Sequence, residues 1–188
     1  MEATLQQALQ VFYDNNNFGE DGGIKEDWVW IKFGVFSFPL PNFEQRKKNV
    51  WRHDANHILL GYDTSWKGEA AVSAWEIGSG GWGKFWVAWG LTLWALGVGV
   101  IFFPKSTHQA FMRGRNTLSP YLLGIEKDKI LATNISQLKD DFKFNDNEYQ
   151  VKSDDNKAYF TWSVVSVIWF LFPFVISLYI LYLLFSLF

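Results

Sequence analysis

Over residues 2–13 the apolar positions recur every three to four residues, with Leu5, Ala8, Leu9 and Phe12 on one side of a short helix. The turn-rich stretch "DNNNFGEDGG" then breaks the pattern. "DWVWIKFGVFSFPLP" alternates in strand fashion, and no second strong strand follows it. It reads as an extended arm packed on helices, or as one short strand. A well-signalled helix comes next, "FEQRKKNVWRHDANHILL". Asn42 after Pro41 is placed to cap it, Gln45 completes a capping box, and Gly61 ends it. "YDTSW" is a turn, with Thr64 or Ser65 capping a second helix, "KGEAAVSAWEIG", that stops at the glycine-rich "GSGGWG".

Two later segments are apolar throughout. Residues 85–103, "FWVAWGLTLWALGVGVIFF", carry no charge and at ~1.5 Å per residue just match a bilayer core of about 30 Å. Their glycines and tryptophans leave a buried helix or an interfacial one equally open. A short basic helix, "PKSTHQAFMRGRN", follows. "LLGIEKDKILATNISQLKDDFKF" gives one or two helices, with Asn134 a candidate cap. "NDNEYQVKSDDNK" is polar and aperiodic. From Ala158 to Phe188 no residue is charged, which is the pattern of a transmembrane helix bent or tilted about Pro173. The predicted fold is mainly α: a helical metal-binding domain over residues 1–145, with 85–103 an apolar helix that is buried or membrane-inserted, a polar linker at 146–157, and a transmembrane anchor at 158–188.

Composition narrows the function. A net charge of −2 provides no basic field for nucleic acid. The absence of cysteine excludes disulfides and thiolate metal sites, so any metal must use His, carboxylate, carbonyl or water. The 11 Trp and 18 Phe fit a chain that meets a membrane interface. The N-terminus lacks the basic and apolar regions of a secretory signal, so the N-terminal part is expected on the cytoplasmic side.

The candidate chemistry lies in "HDANHILLGYDTSWKGE". On a helix His53 and His57 are about 40° apart, with Asp54 about 100° from His53, so all three share one side. His at i and i+4 is the spacing by which a helix offers two imidazoles to one metal. Glu69 would face them from the next helix. Two His and two carboxylates suit Zn, Fe, Mn or Co. Glu76, seven residues on, is either an acceptor for a ligand histidine or a solvated carboxylate. Asp63 and Asn56 read as turn and helix-surface residues. Arg113 and Arg115, near Lys105 and His108, would hold an anionic head group or meet lipid phosphates at the interface. Spacing alone leaves a metal site and a polar helix face both open.

The pattern H-D-x-x-H-(x11)-E, from His53 to Glu69, resembles the metal-ligand motif of the coenzyme Q biosynthesis protein 4 family. "FYDNNNFGEDGG", "FPLPNFEQRKKNVWRHD", "GYDTSWKGEAAVSAWEIGSG", "AFMRGRN" and "LLGIEKDKILATNISQLKDDF" look like its bacterial, membrane-associated branch, so the resemblance covers roughly residues 10–145. It implies zinc or a similar divalent ion on His53, Asp54, His57 and Glu69, and an apolar tunnel for a prenyl tail. It also implies a role in ubiquinone synthesis, in exchanging the ring carboxyl of a prenylated hydroxybenzoate and in supporting a biosynthetic complex. Three functions follow as expectations: a metal-dependent decarboxylase or hydroxylase of a prenylated aromatic acid or quinone precursor, a non-catalytic prenyl-lipid scaffold with partner enzymes, and a metal-dependent lipid-phosphate hydrolase. The expected location is the bacterial inner membrane.

Overall fold

A computed structural model describes residues 2–33, 36–117, 119–144 and 150–186. Helix α1, Leu5–Asn16, starts at a capping box. The Thr4 hydroxyl accepts from the Gln7 amide, and the Gln7 side chain accepts from the Thr4 amide at 3.0 Å. Leu5, Leu9 and Tyr13 bury one face. The strand-like stretch does find a partner, because it folds on itself. Strands β1, Trp28–Phe33, and β2, Phe36–Pro41, pair antiparallel from Trp28↔Pro41 to Phe33↔Phe36. Each strand of a two-stranded ribbon keeps an open edge, so Pro39 and Pro41 are tolerated without an amide to donate. The fold is therefore mainly helical with one added hairpin.

Helix α2 runs from Glu44 to Leu60. Asn42 does not cap it; its side-chain amide donates to the Gly23 and Glu26 carbonyls, and its oxygen accepts from Arg46. That buried side chain ties the preceding loop to the helix start. Helix α3, Trp66–Gly78, is capped by Ser65, whose hydroxyl accepts from the Gly68 amide. From Ala70 to Gly78 every residue of α3 is buried, so it is the central helix rather than an amphipathic one.

Helix α4, Trp86–Phe102, buries Val87, Thr92, Leu96 and Val98, and α5, Pro104–Arg115, follows a break at Phe103. Within the apolar 85–103 segment, residues 86–102 form a helix packed on α3. Close approach of α3 to α5 needs glycine: a Cβ at Gly78 would lie 2.5 Å from the Phe111 carbonyl oxygen. Two short helices, α6 at Lys127–Ala132 and α7 at Ile135–Asp141, close the core with Ile130 and Leu138. Asn134 does precede α7.

Helix α8, Ser153–Phe185, is the one helix among the described residues long and apolar enough to cross a membrane. It begins inside the stretch expected to be a linker; residues 146–149 of that stretch lie outside the described residues. Its first half is docked. Asp155, Ser163, Ser166 and Phe170 are buried, and the Trp169 indole donates to the Gly90 carbonyl of α4 at 2.9 Å. After Phe170 every described residue of the helix is exposed.

Candidate metal centre

The centre is built at the corner between α2 and α3. Gly61 ends α2 with φ 75°, and the His57 carbonyl accepts from both the Gly61 and Tyr62 amides. In the turn, Asp63 accepts from the Ser65 amide and hydroxyl. Gly68 is required here because a Cβ would collide with the Asp63 carbonyl oxygen. This tight corner brings the first turn of α3, which holds Glu69, against the last turns of α2, which hold His53 and His57.

Three donor atoms converge. The Nε2 atoms of His53 and His57 are 3.2 Å apart. Glu69 places one oxygen 3.0 Å from His53 Nε2 and the other 3.5 Å from His57 Nε2. Nitrogen ligands about 2.0–2.1 Å from a tetrahedral ion lie roughly 3.3 Å from each other. The spacing of these three atoms is that of a ligand set.

The opposite nitrogens are fixed by hydrogen bonds. His53 Nδ1 lies 3.0 Å from Glu76 Oε1, and His57 Nδ1 lies 3.2 Å from the Tyr62 carbonyl oxygen. With the proton on Nδ1 in each ring, both Nε2 lone pairs are left for an ion. Phe12 stacks on the His57 ring at 5.7 Å between centroids, which limits its rotation.

Glu76 is only 3% exposed, so it is no solvated carboxylate. Besides His53 it accepts from Asn56 at 2.9 Å, the Trp82 indole at 3.3 Å and the Thr92 hydroxyl at 3.4 Å. Asn56 is thus a buried partner of Glu76 rather than a helix-surface residue. Its position three residues beyond His53, on the same helix side, was the available signal. Trp82 and Thr92 had none, since they arrive from a glycine-rich loop and from α4.

Asp54 stands beside the trio and is not one of the three converging donors. It is buried, close to Tyr13 and Arg46, and its Oδ2 has no hydrogen-bond partner. Burial pushes its carboxyl up to about 6, against the opposing pull of His53, His57, Arg46 and the Tyr13 hydroxyl. Burial also works to raise Glu69, but hydrogen bonds from the two histidines hold it down at about 2. For His53 burial works downward, and Glu76 and Glu69 outweigh it, leaving the imidazole well above 6.5.

Neither Arg113 nor Arg115 joins this cluster. Arg113 donates to the carbonyls of Leu60 and Phe144, fastening α5 to the end of α2 and to the stretch after α7. Arg115 pairs with Asp155 at 2.8 Å and so holds the start of α8. His108 likewise reaches α8, 3.0 Å from the Asn156 side-chain oxygen.

No protein-family model, curated protein or solved structure matches the chain. The chemistry of the site therefore rests on its own donors. Two imidazoles and a carboxylate form a mixed nitrogen and oxygen set open to several divalent ions.

Proposed function

We propose that this is a membrane-anchored metalloprotein acting on a prenylated aromatic acid or quinone precursor. The observation that carries the reading is the convergence of His53 Nε2, His57 Nε2 and a Glu69 oxygen within 4.8 Å of one another. These residues would hold a divalent ion, zinc or else iron, cobalt or manganese, with Asp54 the candidate for a further ligand. The ion would supply a Lewis acid toward a substrate carboxylate or phenolate. Glu76 and the Tyr62 carbonyl orient the two imidazoles, and Phe12 screens one of them from water. Helix α8 anchors the chain in the bilayer, with the main domain on the cytoplasmic face of the bacterial inner membrane, and α4 provides an apolar wall for a prenyl tail. The substrate class rests on the resemblance of the His53–Glu69 motif and its flanks, and the reaction expected from it is removal or replacement of the ring carboxyl.

One observation favours a second reading. The three donors join two helices across a tight turn, which is also what a structural ion does. In that case the protein is a prenyl-lipid scaffold for partner enzymes. The lipid-phosphate hydrolase has less support, because Arg113 and Arg115 are engaged in internal contacts.

The test is metal analysis of the purified full chain and of Glu69→Gln, combined with quinone measurements in cells carrying each. Stoichiometric metal in the parent, lost with quinone output in a folded Glu69→Gln, supports the enzyme. Retained output with lost metal supports the scaffold. A parent that binds no divalent metal sinks both.

A further inference from the structure

A cavity of about 200 Å³ borders Glu76 and is lined by Arg52, Trp82, Lys84, Phe85 and Tyr121 among others. None of the three converging donors lines it. Its walls carry an unusual charge pattern. The Arg52 guanidinium lies 5.7 Å from the centre of the Trp51 ring, 5.4 Å from Phe85 and 5.5 Å from Tyr121. Aromatic rings surround the group and offer only their quadrupoles. They accept none of the five N–H donors along its edge. Among the described residues no carboxylate pairs with Arg52, and its buried Nε has no partner.

Lys84 adds a second cation to the lining. The one acidic lining residue, Glu76, already accepts from Asn56, Trp82 and Thr92 and faces His53. Two further buried polar atoms of lining residues, Asn56 Oδ1 and Trp75 Nε1, also lack partners. A half-buried cation without a counter-ion is costly, and a fork of free guanidinium donors matches a carboxylate. The rest of the lining is mixed: Trp75, Trp82, Phe85, Tyr121 and Leu122 supply apolar surface for a compact body, beside Ser79, Ser119 and two glycines. An apolar cavity of about 150 Å³ is enough to hold benzene.

We propose that this cavity is a second ligand site, separate from the metal, that takes a small organic carboxylate with its anionic end on Arg52 and its apolar body among Trp82, Phe85 and Tyr121. Lys84 strengthens the field at the anionic end. Glu76 belongs to both places: it lines the cavity and lies 3.0 Å from His53 Nδ1. The site does not require the metal reading, since no metal donor contributes to it.

Calorimetric titration of the full chain in lipid nanodiscs tests this with cyclohexanecarboxylate, cyclohexylmethanol and inorganic phosphate as probes. The carboxylate is expected to bind saturably and at least about tenfold more tightly than the neutral alcohol, a gap of about 1.4 kcal/mol. Phosphate, which lacks the apolar body, is expected to bind more weakly than the carboxylate. Arg52→Met should remove the preference for the carboxylate over the alcohol while α-helical circular dichroism is unchanged, and Arg52→Lys should keep part of it. If Arg52→Met does not fold, Lys84→Ala should still weaken the carboxylate and not the alcohol. Equal binding of carboxylate and alcohol, tighter binding of phosphate, an unchanged preference in a folded Arg52→Met, or no saturable binding of the carboxylate would each overturn the proposal.

Discussion

Glu76 Oε1 lies 3.0 Å from His53 Nδ1, and the same oxygen accepts from Asn56 at 2.9 Å. One buried carboxylate therefore sets the tautomer of a candidate ligand from behind. Replacing it by an amide keeps the shape but removes the charge that makes the imidazole a better donor. Glu76→Gln should lower zinc affinity by about 10–100-fold, the usual size of an outer-shell effect. Competition with a chromophoric chelator measures it. An affinity unchanged from the parent would mean that His53 does not bind through Nε2.

Asp54 gives a prediction with opposite signs in the apo and metal-bound protein. Its folded value of about 6 exceeds its ordinary 3.8. A raised acid binds its proton more tightly when folded, so stability is lost as pH rises from about 3.8 to 6 and stays lower above that. The gap corresponds to a penalty on the order of 3 kcal/mol at neutral pH. Asp54→Asn should therefore raise the Tm of the metal-free protein at pH 7.5 and leave it little changed at pH 4. If Asp54 completes the coordination, the same variant should bind zinc more weakly. Thermal melts at the two pH values, with and without zinc, separate the two effects.

His53 and Glu69 work in the other direction. The His53 value is raised, so its contribution to apo stability is full below its ordinary 6.5 and is lost as pH climbs through the raised value. Glu69, held at about 2 against an ordinary 4.5, contributes above 4.5 and loses that contribution as pH falls through 2. An ion must displace the His53 proton. Zinc uptake at pH 7 should release about one proton per site, and affinity should rise with pH until His53 is neutral in the apo protein. Calorimetry in two buffers of different ionisation enthalpy counts the protons. No proton release would contradict the assignment of His53 as a ligand.

The helices and the metal trio were legible because both follow local rules. Gly61 and Ser65 mark the corner in the sequence, and i, i+4 spacing aligns His53 with His57. The loop before α2 was not legible as such: Asn42 has the residue type of a cap, but long-range carbonyls at Gly23 and Glu26 compete for its amide and win. The hairpin is not legible because its two strands run together in one alternating apolar stretch, Trp28 to Pro41, without an asparagine–glycine pair to divide them. The roles of Arg113 and Arg115 depend on where Leu60, Phe144 and Asp155 arrive in space, which spacing does not encode. The cavity around Arg52 is likewise assembled from α2, α3, the glycine-rich loop and the residues after α5.

The seam between α4 and α8 decides how the apolar tail relates to the domain, and Gly97 tests it. A Cβ there would lie 2.5 Å from the Ser166 carbonyl oxygen and 2.6 Å from the Phe170 Cβ. Neither atom belongs to a flexible side-chain end, so the helices must separate to admit a larger residue. This close approach depends on a small residue, as helix–helix contacts in membranes also do. The outer face of the docked half is apolar too, with Phe160, Val164 and Ile168 exposed at one-turn spacing. An apolar surface is thus open well before the free half begins. Gly97→Leu should cost the domain about 1–3 kcal/mol, the range for forced overpacking. It should also break the Trp169–Gly90 hydrogen bond and leave the tail inserted. The readouts are the chemical-denaturation midpoint in nanodiscs and a cross-link between cysteines placed on α4 and α8 away from positions 90 and 169, with carbonate extraction as the check on insertion. Loss of membrane insertion together with the cross-link would show that docking on α4 is needed to hold α8 in the bilayer. An unchanged cross-link and midpoint would show that the two helices do not meet at Gly97.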